Sequence, residues 1–168
     1  MSSKQIILAV CVVLLSINSA RAKSWRGLEP LHSTCADVER LFGPPVDKMA
    51  GIWIYDFPEE RAFISFSSGE PCEEGLPDGF KLPKDVVIYI NTSPTILKKM
   101  EEVLTPGNEY EHFIDPHTSS IHYSDSVEGI GFIVSGGLVQ QISYSGPDAE
   151  VKNYVCGEYK YAAPISPI

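Results

Sequence analysis

Apolar and polar positions change period along the chain, and each change marks an element. Ile6 to Leu15 is an unbroken apolar run of ten residues. It follows Lys4 and leads to Ala20-Arg21-Ala22, the small–x–small pattern of a signal-peptidase site. Ten apolar residues cross only about half of a bilayer core, which needs about 20. Residues 1–22 therefore read as a signal peptide cut after Ala22, with 23–168 as a single domain. Cys11 lies in the middle of the run, and Val10 before it is too large for a lipobox. No other apolar stretch is long enough to span a membrane, so no transmembrane segment is expected after signal removal.

Beyond the leader the period becomes helical, then alternating. Trp25 and Leu28-Pro30-Leu31 form an apolar entry segment. Cys35, Val38, Leu41 and Phe42 recur at helical spacing. Thr34 is a good N-cap with Asp37 three residues on, and Gly43 followed by Pro44-Pro45 stops the helix at about 35–42. Residues 51–57 and 61–67 are rich in aromatic and β-branched residues and flank a Pro58-Glu59-Glu60 turn, which predicts paired strands. A Gly, Pro and acid-rich loop runs from 68 to 84. Residues 85–91, DVVIYIN, predict a central strand. Ser93-Pro94 then reads as N-cap and first residue of a second helix carrying Ile96, Leu97, Met100, Val103 and Leu104.

The last third alternates again. Strands are expected at 110–114 and 120–123 around an Asp115-Pro116-His117-Thr118 turn, and at 129–134 and 138–144 around Gly136-Gly137. Two glycines between β runs accept the positive φ of a type I′ turn. The fold class predicted is α+β: an antiparallel sheet of about six strands with one or two short helices packed on one face.

Charge narrows the partners. Twenty-two acidic residues stand against 13 basic ones, a formal charge of −9, and the leader removes two of the basic ones. Such a chain lacks the positive face that replaces counterions on phosphate, so no nucleic acid is expected as a partner. A signal peptide sends the domain to the periplasm or the medium, where disulfides persist. Three cysteines remain there, Cys35, Cys72 and Cys156, and three pairings are open. Loop cysteines reach each other more freely than one held in a helix, which favours Cys72–Cys156. Cys35 is then a small buried hydrophobe.

One cluster carries possible chemistry: His112, Asp115, His117 and His122, all on the expected 110–123 hairpin. Imidazole with carboxylate suits zinc or another divalent metal, or a general acid–base pair. The spacing matches no established ligand motif, and a solvated polar hairpin with an Asp-Pro turn accounts for the same residues. Glu70, Glu73, Glu74 and Asp78 lack the alternation of a calcium loop. Hydrolase and phosphate-loop signatures are absent. Asn91-Thr92-Ser93 is formally a glycosylation sequon, with Pro94 unfavourably placed after it.

The stretch Trp25-Arg26-Gly27-Leu28, Pro30-Leu31-His32-Ser33-Thr34 and Asp37-Val38-Glu39-Arg40-Leu41-Phe42-Gly43-Pro44-Pro45 resembles an uncharacterised family of secreted bacterial proteins, frequent in acidobacteria. The likeness continues in Pro71-Cys72, 85–88, Asp115-Pro116-His117, Glu128-Gly129-Ile130 and Cys156. It implies Cys72 and Cys156 as a pair and implies no known activity. Thr34, Val38, Leu41, Gly43 and Pro45 are also similar to the helix motif of SmpA/OmlA (BamE-like) and β-lactamase-inhibitor-like domains. That likeness covers about the first twenty residues after the leader, and no second helix follows the Gly-Pro directly.

The reading that follows is a non-catalytic extracytoplasmic module that binds an unknown protein or small ligand, with no cofactor. Two alternatives differ in class. A metal-dependent enzyme needs the three hairpin histidines to converge, and a secreted inhibitor needs an exposed aromatic patch around Trp53, Tyr55 or the Gly-Pro loops.

Overall fold

The computed structural model describes residues 22–49, 51–70 and 79–156. Residues 1–21 of the expected leader, Cys72 and the acids Glu73, Glu74 and Asp78 lie outside the described residues, whereas Ala22, just before the expected cut, is described and buried. The first helix, α1 (Cys35–Phe42), forms as its caps predict. The Asp37 backbone N–H donates to the Thr34 hydroxyl at 3.4 Å, and the Thr34 N–H donates back to the Asp37 carboxylate at 3.0 Å. That backbone bond, then Arg40 and the Thr34 hydroxyl, hold the Asp37 carboxyl at about 2. The cap's contribution to stability is present above the ordinary carboxylate pKa and is lost as pH falls toward 2. Val38 is fully buried and Phe42 packs beside it, whereas Leu41, expected on the same face, is 40% exposed.

The strands are β1 (Asp47–Met49), β2 (Ile52–Asp56), β3 (Glu60–Phe66), β4 (Val87–Pro94), β5 (Lys98–Lys99), β6 (Glu111–Ile114), β7 (Ile121–Asp125), β8 (Ile130–Ser135) and β9 (Leu138–Tyr144). They join one antiparallel sheet in the order β1-β2-β3-β4-β9-β8-β7-β6, with β5 beside the start of β9. The sheet has nine strands rather than about six, because β1 and β5 are too short and polar to announce themselves. The expected helix at Ser93-Pro94 does not form there. β4 continues through both residues, which pair with Arg61 and Glu60 of β3. Cross-strand pairing outweighs the Ser-Pro capping signal, and Pro94 sits at the strand end, where its missing N–H breaks no ladder. Only one turn of helix follows, α2 (Met100–Val103); a second, α3 (Asp148–Val151), begins after Gly146-Pro147. Gly136 and Gly137, at φ +58° and +77°, make the β8–β9 turn as predicted.

Register sorts the side chains onto two faces. On one face Trp53, Tyr55, Ala62, Ile64, Ile90, Ile142 and Phe132 face the helices. Trp25, Leu28 and α1 cover the β2–β4 half of that face, and α2 covers the β8–β9 half. The Trp25, Phe42, Phe57 and Tyr55 rings meet at 5.3–6.2 Å, mostly edge to face. A third cluster, Leu31, Leu82, Val86 and Val151, gathers the entry segment, the 79–86 segment and α3. The opposite face carries Asn91, Ser143, Gly131 and Ser124 in one cross-strand row.

Cys35 is a free thiol, half-buried, and burial followed by the nearby Asp85 pushes its pKa up. Cys156 is buried and disulfide-bonded. Its backbone N–H donates to Gly79 O, just where the 68–84 loop returns. Among the described residues no helix is long and apolar enough to cross a membrane.

Two glycines separate crowding from conformational strain. Gly129 has φ +66°, and a Cβ there would collide with the Ser145 carbonyl and the Gly146 backbone. Gly136 has φ +58° with nothing within 4 Å. Gly136→Ala is expected to cost about 1 kcal/mol and Gly129→Ala distinctly more, about 2–4 kcal/mol. Chemical denaturation of the two variants checks the order.

Candidate functional site

A cleft of about 270 Å³ opens between the two apolar clusters on the helical face. Its walls are Trp25 on one side, Val103, Val139 and Ile142 on the other, and Tyr144 between them. Arg26, Glu59, Glu60 and Lys98 bring both signs of charge to it.

The charged wall begins in backbone geometry. Trp25 and Leu28 exchange backbone hydrogen bonds at 2.9 and 2.8 Å, which closes a two-residue turn on Arg26 and Gly27. Both central residues have positive φ, +48° and +86°. Glycine takes that region freely; an arginine there costs on the order of 1 kcal/mol. The guanidinium offsets the strain by stacking 4.5 Å from the Phe57 ring and donating from Nε to Glu60 at 2.9 Å. The Trp25 indole N–H donates to the same Glu60 oxygen at 3.2 Å. The Glu60 side chain is only 16% exposed, so both donors hold a carboxylate that is largely out of water. Glu60 opens β3, and its neighbour Glu59 accepts the Thr95 N–H at 2.8 Å, which brings the 94–98 segment to the rim.

Tyr144 lies against this group. Burial first, and the Glu60 charge second, push its phenol up to about 12, with Arg26 pulling the other way. Thr92 is fully buried on the same sheet face, opposite Ile142 of the cleft, and its hydroxyl has no hydrogen-bond partner among the described residues. The cleft thus combines apolar walls, a neutral phenol, a neutralised carboxylate, and the exposed Lys98 and Glu59 at its rim. Such a set orients a ligand through apolar contact and paired charge.

A second depression, about 260 Å³, lies on the opposite face over Asn91, Gly131, Ser143, Ser124 and Tyr89.

The histidines do not come together. His112 pairs with Tyr123, and Phe113 with His122, so the two imidazoles leave opposite faces of the hairpin. His112 stacks on Tyr123 at 5.7 Å and His122 on Phe113 at 4.5 Å. The Asp115 carboxylate accepts the His117 backbone N–H and the Thr118 hydroxyl, both at 2.8 Å, and the backbone bond comes first in holding its pKa down. His117 stays at the turn. Among the described residues no three His, Cys, Asp or Glu side chains are placed to share a metal ion. The aromatic patch expected for an inhibitor is also not at Tyr55, which is 4% exposed and donates its hydroxyl to Gly43 O. Trp53 packs on Phe66 beneath the Lys48 ammonium.

The sequence marks Trp25 to Leu31 as an apolar entry segment and gives Arg26 no role of its own. The available signal was Arg-Gly between two apolar residues, a two-residue turn pattern.

No family model and no curated protein matches the sequence. Among solved structures, the chain is similar to YjgB of Bacillus subtilis, a DUF4309 family protein, with a TM-score of 0.47 and 16% identity over 76% of this chain and 88% of that one. At that distance the likeness bears on neither ligand nor chemistry.

Two tyrosines should report the site by titration. Tyr144 and Tyr55 are both raised from 10 to about 12, chiefly by burial. A raised folded-state pKa stabilises the fold below the unfolded value, and that contribution is lost as pH rises from 10 through 12. Near-ultraviolet difference absorbance should show the Tyr144 and Tyr55 phenols ionising late, with Tyr89, which burial also raises, among the late group, and stability should fall over the same interval. In Glu60→Gln, Tyr144 should ionise earlier while Tyr55 is unchanged.

Proposed function

We propose that the chain is a non-catalytic, extracytoplasmic binding module whose ligand site is the cleft between Trp25 and Ile142. The observation that carries this reading is Arg26. A left-handed arginine is a poor choice for turn formation, and here it positions a guanidinium, an indole and a shielded carboxylate along one wall of an otherwise apolar cleft. Strained residues of this kind concentrate where a side chain must be aimed. Apolar walls with both signs of charge at the rim fit a small amphipathic ligand or one anchoring side chain of a partner protein.

Export belongs to the same proposal. Lys23, the first residue after the expected cut, is built into the fold. Its N–H donates to Glu128 O at 2.9 Å, and its ammonium meets the Glu128 carboxylate at 3.0 Å and the Thr105 hydroxyl at 3.2 Å. A chain beginning there keeps all three contacts. A bond between Cys72 and Cys156 is part of this reading, as is kinship with the secreted family that the 25–45 stretch resembles.

The test uses protein exported by its host. Intact mass should correspond to residues 23–168 less two hydrogens for one disulfide. The same material is titrated with anilinonaphthalene sulfonate, an amphipathic probe, and followed by NMR. Shifts confined to the Trp25 indole N–H and the Val103, Val139 and Ile142 methyls bear the proposal out. Shifts elsewhere only, or none at millimolar probe, would refute it.

A further inference from the structure

The face of the sheet away from the helices carries its own built site. Register sets Asn91, Ser143, Gly131 and Ser124 side by side on four adjacent strands. At about 4.8 Å per strand, the row is some 14 Å long. Gly131 is the floor: without a side chain it leaves the depression, whose volume is about 260 Å³. Aromatic rings border the β3–β4 end. Tyr89 is 39% exposed and braced edge-on by Phe80 at 5.7 Å, and Phe63 follows Asn91 in the same row.

The polar groups are held in order before any ligand arrives. Asn91 Oδ1 accepts from Ser143 Oγ at 2.8 Å and from Gln141 Nε2 at 3.2 Å, and Gln141 Nε2 also donates to Ser143 Oγ at 3.2 Å. Both amides are thereby oriented. The Asn91 NH₂ donors and the Gln141 Oε1 acceptor make no hydrogen bond among the described residues and remain for a ligand.

Charge selects what fits. The chain is −9 overall, yet the depression offers no free charge. Its one carboxylate, Asp125, is buried and accepts the Val127 and Glu128 N–H groups and the Asn108 amide at 2.9–3.0 Å. No Lys or Arg lines the depression to hold an anion, and the other carboxylate in the row, the exposed Glu111 beside Ser124, stands alone at its β6 end, too few ligands to hold a cation. An uncharged ligand rich in vicinal hydroxyls matches, since each hydroxyl both donates and accepts. Rings with apolar C–H faces would lie against Tyr89 and Phe63.

We infer that this face is a binding site for a neutral oligosaccharide. It lies across the sheet from the cleft, so neither site depends on the other.

Cellohexaose, chitohexaose and maltohexaose are the probes, each titrated into the full exported chain by NMR and calorimetry. At least one is expected to shift the Asn91 and Gln141 side-chain amides, with affinity unchanged by added salt because no ion pair forms. Asn91→Ala should weaken it about tenfold, the size of one or two net hydrogen bonds. Gly131→Leu should abolish it by filling the floor. Ser124→Ala removes a single hydroxyl from the end of the row, so it serves as a folded control with a smaller loss. Failure of all three probes to bind at millimolar concentration overturns the inference. So does binding that is undiminished in Asn91→Ala, or a preference for sulfated over neutral glycans.

Discussion

One carboxylate organises the helical side of the molecule. Glu60 opens β3, yet its side chain serves the segment before α1, accepting the Trp25 indole and the Arg26 guanidinium on a single oxygen. Those two donors fix the 25–28 turn, and the turn seats Trp25 among Phe42 and Phe57. Without the carboxylate, the indole N–H would be buried without its partner and the arginine would hold a strained backbone with half its compensation. The same contact forms one wall of the cleft and, through Tyr144, ties that wall to β9. Packing and site therefore share a cause.

The sheet divides labour between its faces. One is apolar and roofed by the entry turn, α1 and α2. The other is polar and flat along its centre, with small side chains in a row across four strands. An antiparallel sheet tolerates this because alternate residues face opposite ways, so a solvated face costs the core nothing. The four residues of the central row are uncharged, and Glu111 adjoins the row only at its β6 end. Two sites of different chemistry can then sit on one scaffold without competing.

Much of this was legible in the residues. The capped helix, the aromatic strand pairs and the Gly136-Gly137 hairpin followed from local signals, and they formed. Ser93-Pro94 misled because a capping pattern is local, whereas β4 is held by partners on β3 and β9. The histidine hairpin left two readings open, a metal cluster or a solvated polar hairpin, because sequence does not give register: a pairing offset of one residue sends His112 and His122 to opposite faces. The cleft was out of reach, since Arg26 and Glu60 lie 34 residues apart and only the tertiary fold makes them neighbours. Asn91 stood out as a sequon, and only the register with β9 gives its amide a role.

Glu60 and the turn before α1 act as one unit. A double-mutant cycle with Arg26→Ala and Glu60→Gln, read by equilibrium denaturation, should give a coupling of about 1–2 kcal/mol between the two changes. Additivity within about 0.3–0.5 kcal/mol would mean that the two residues act independently, and would contradict it.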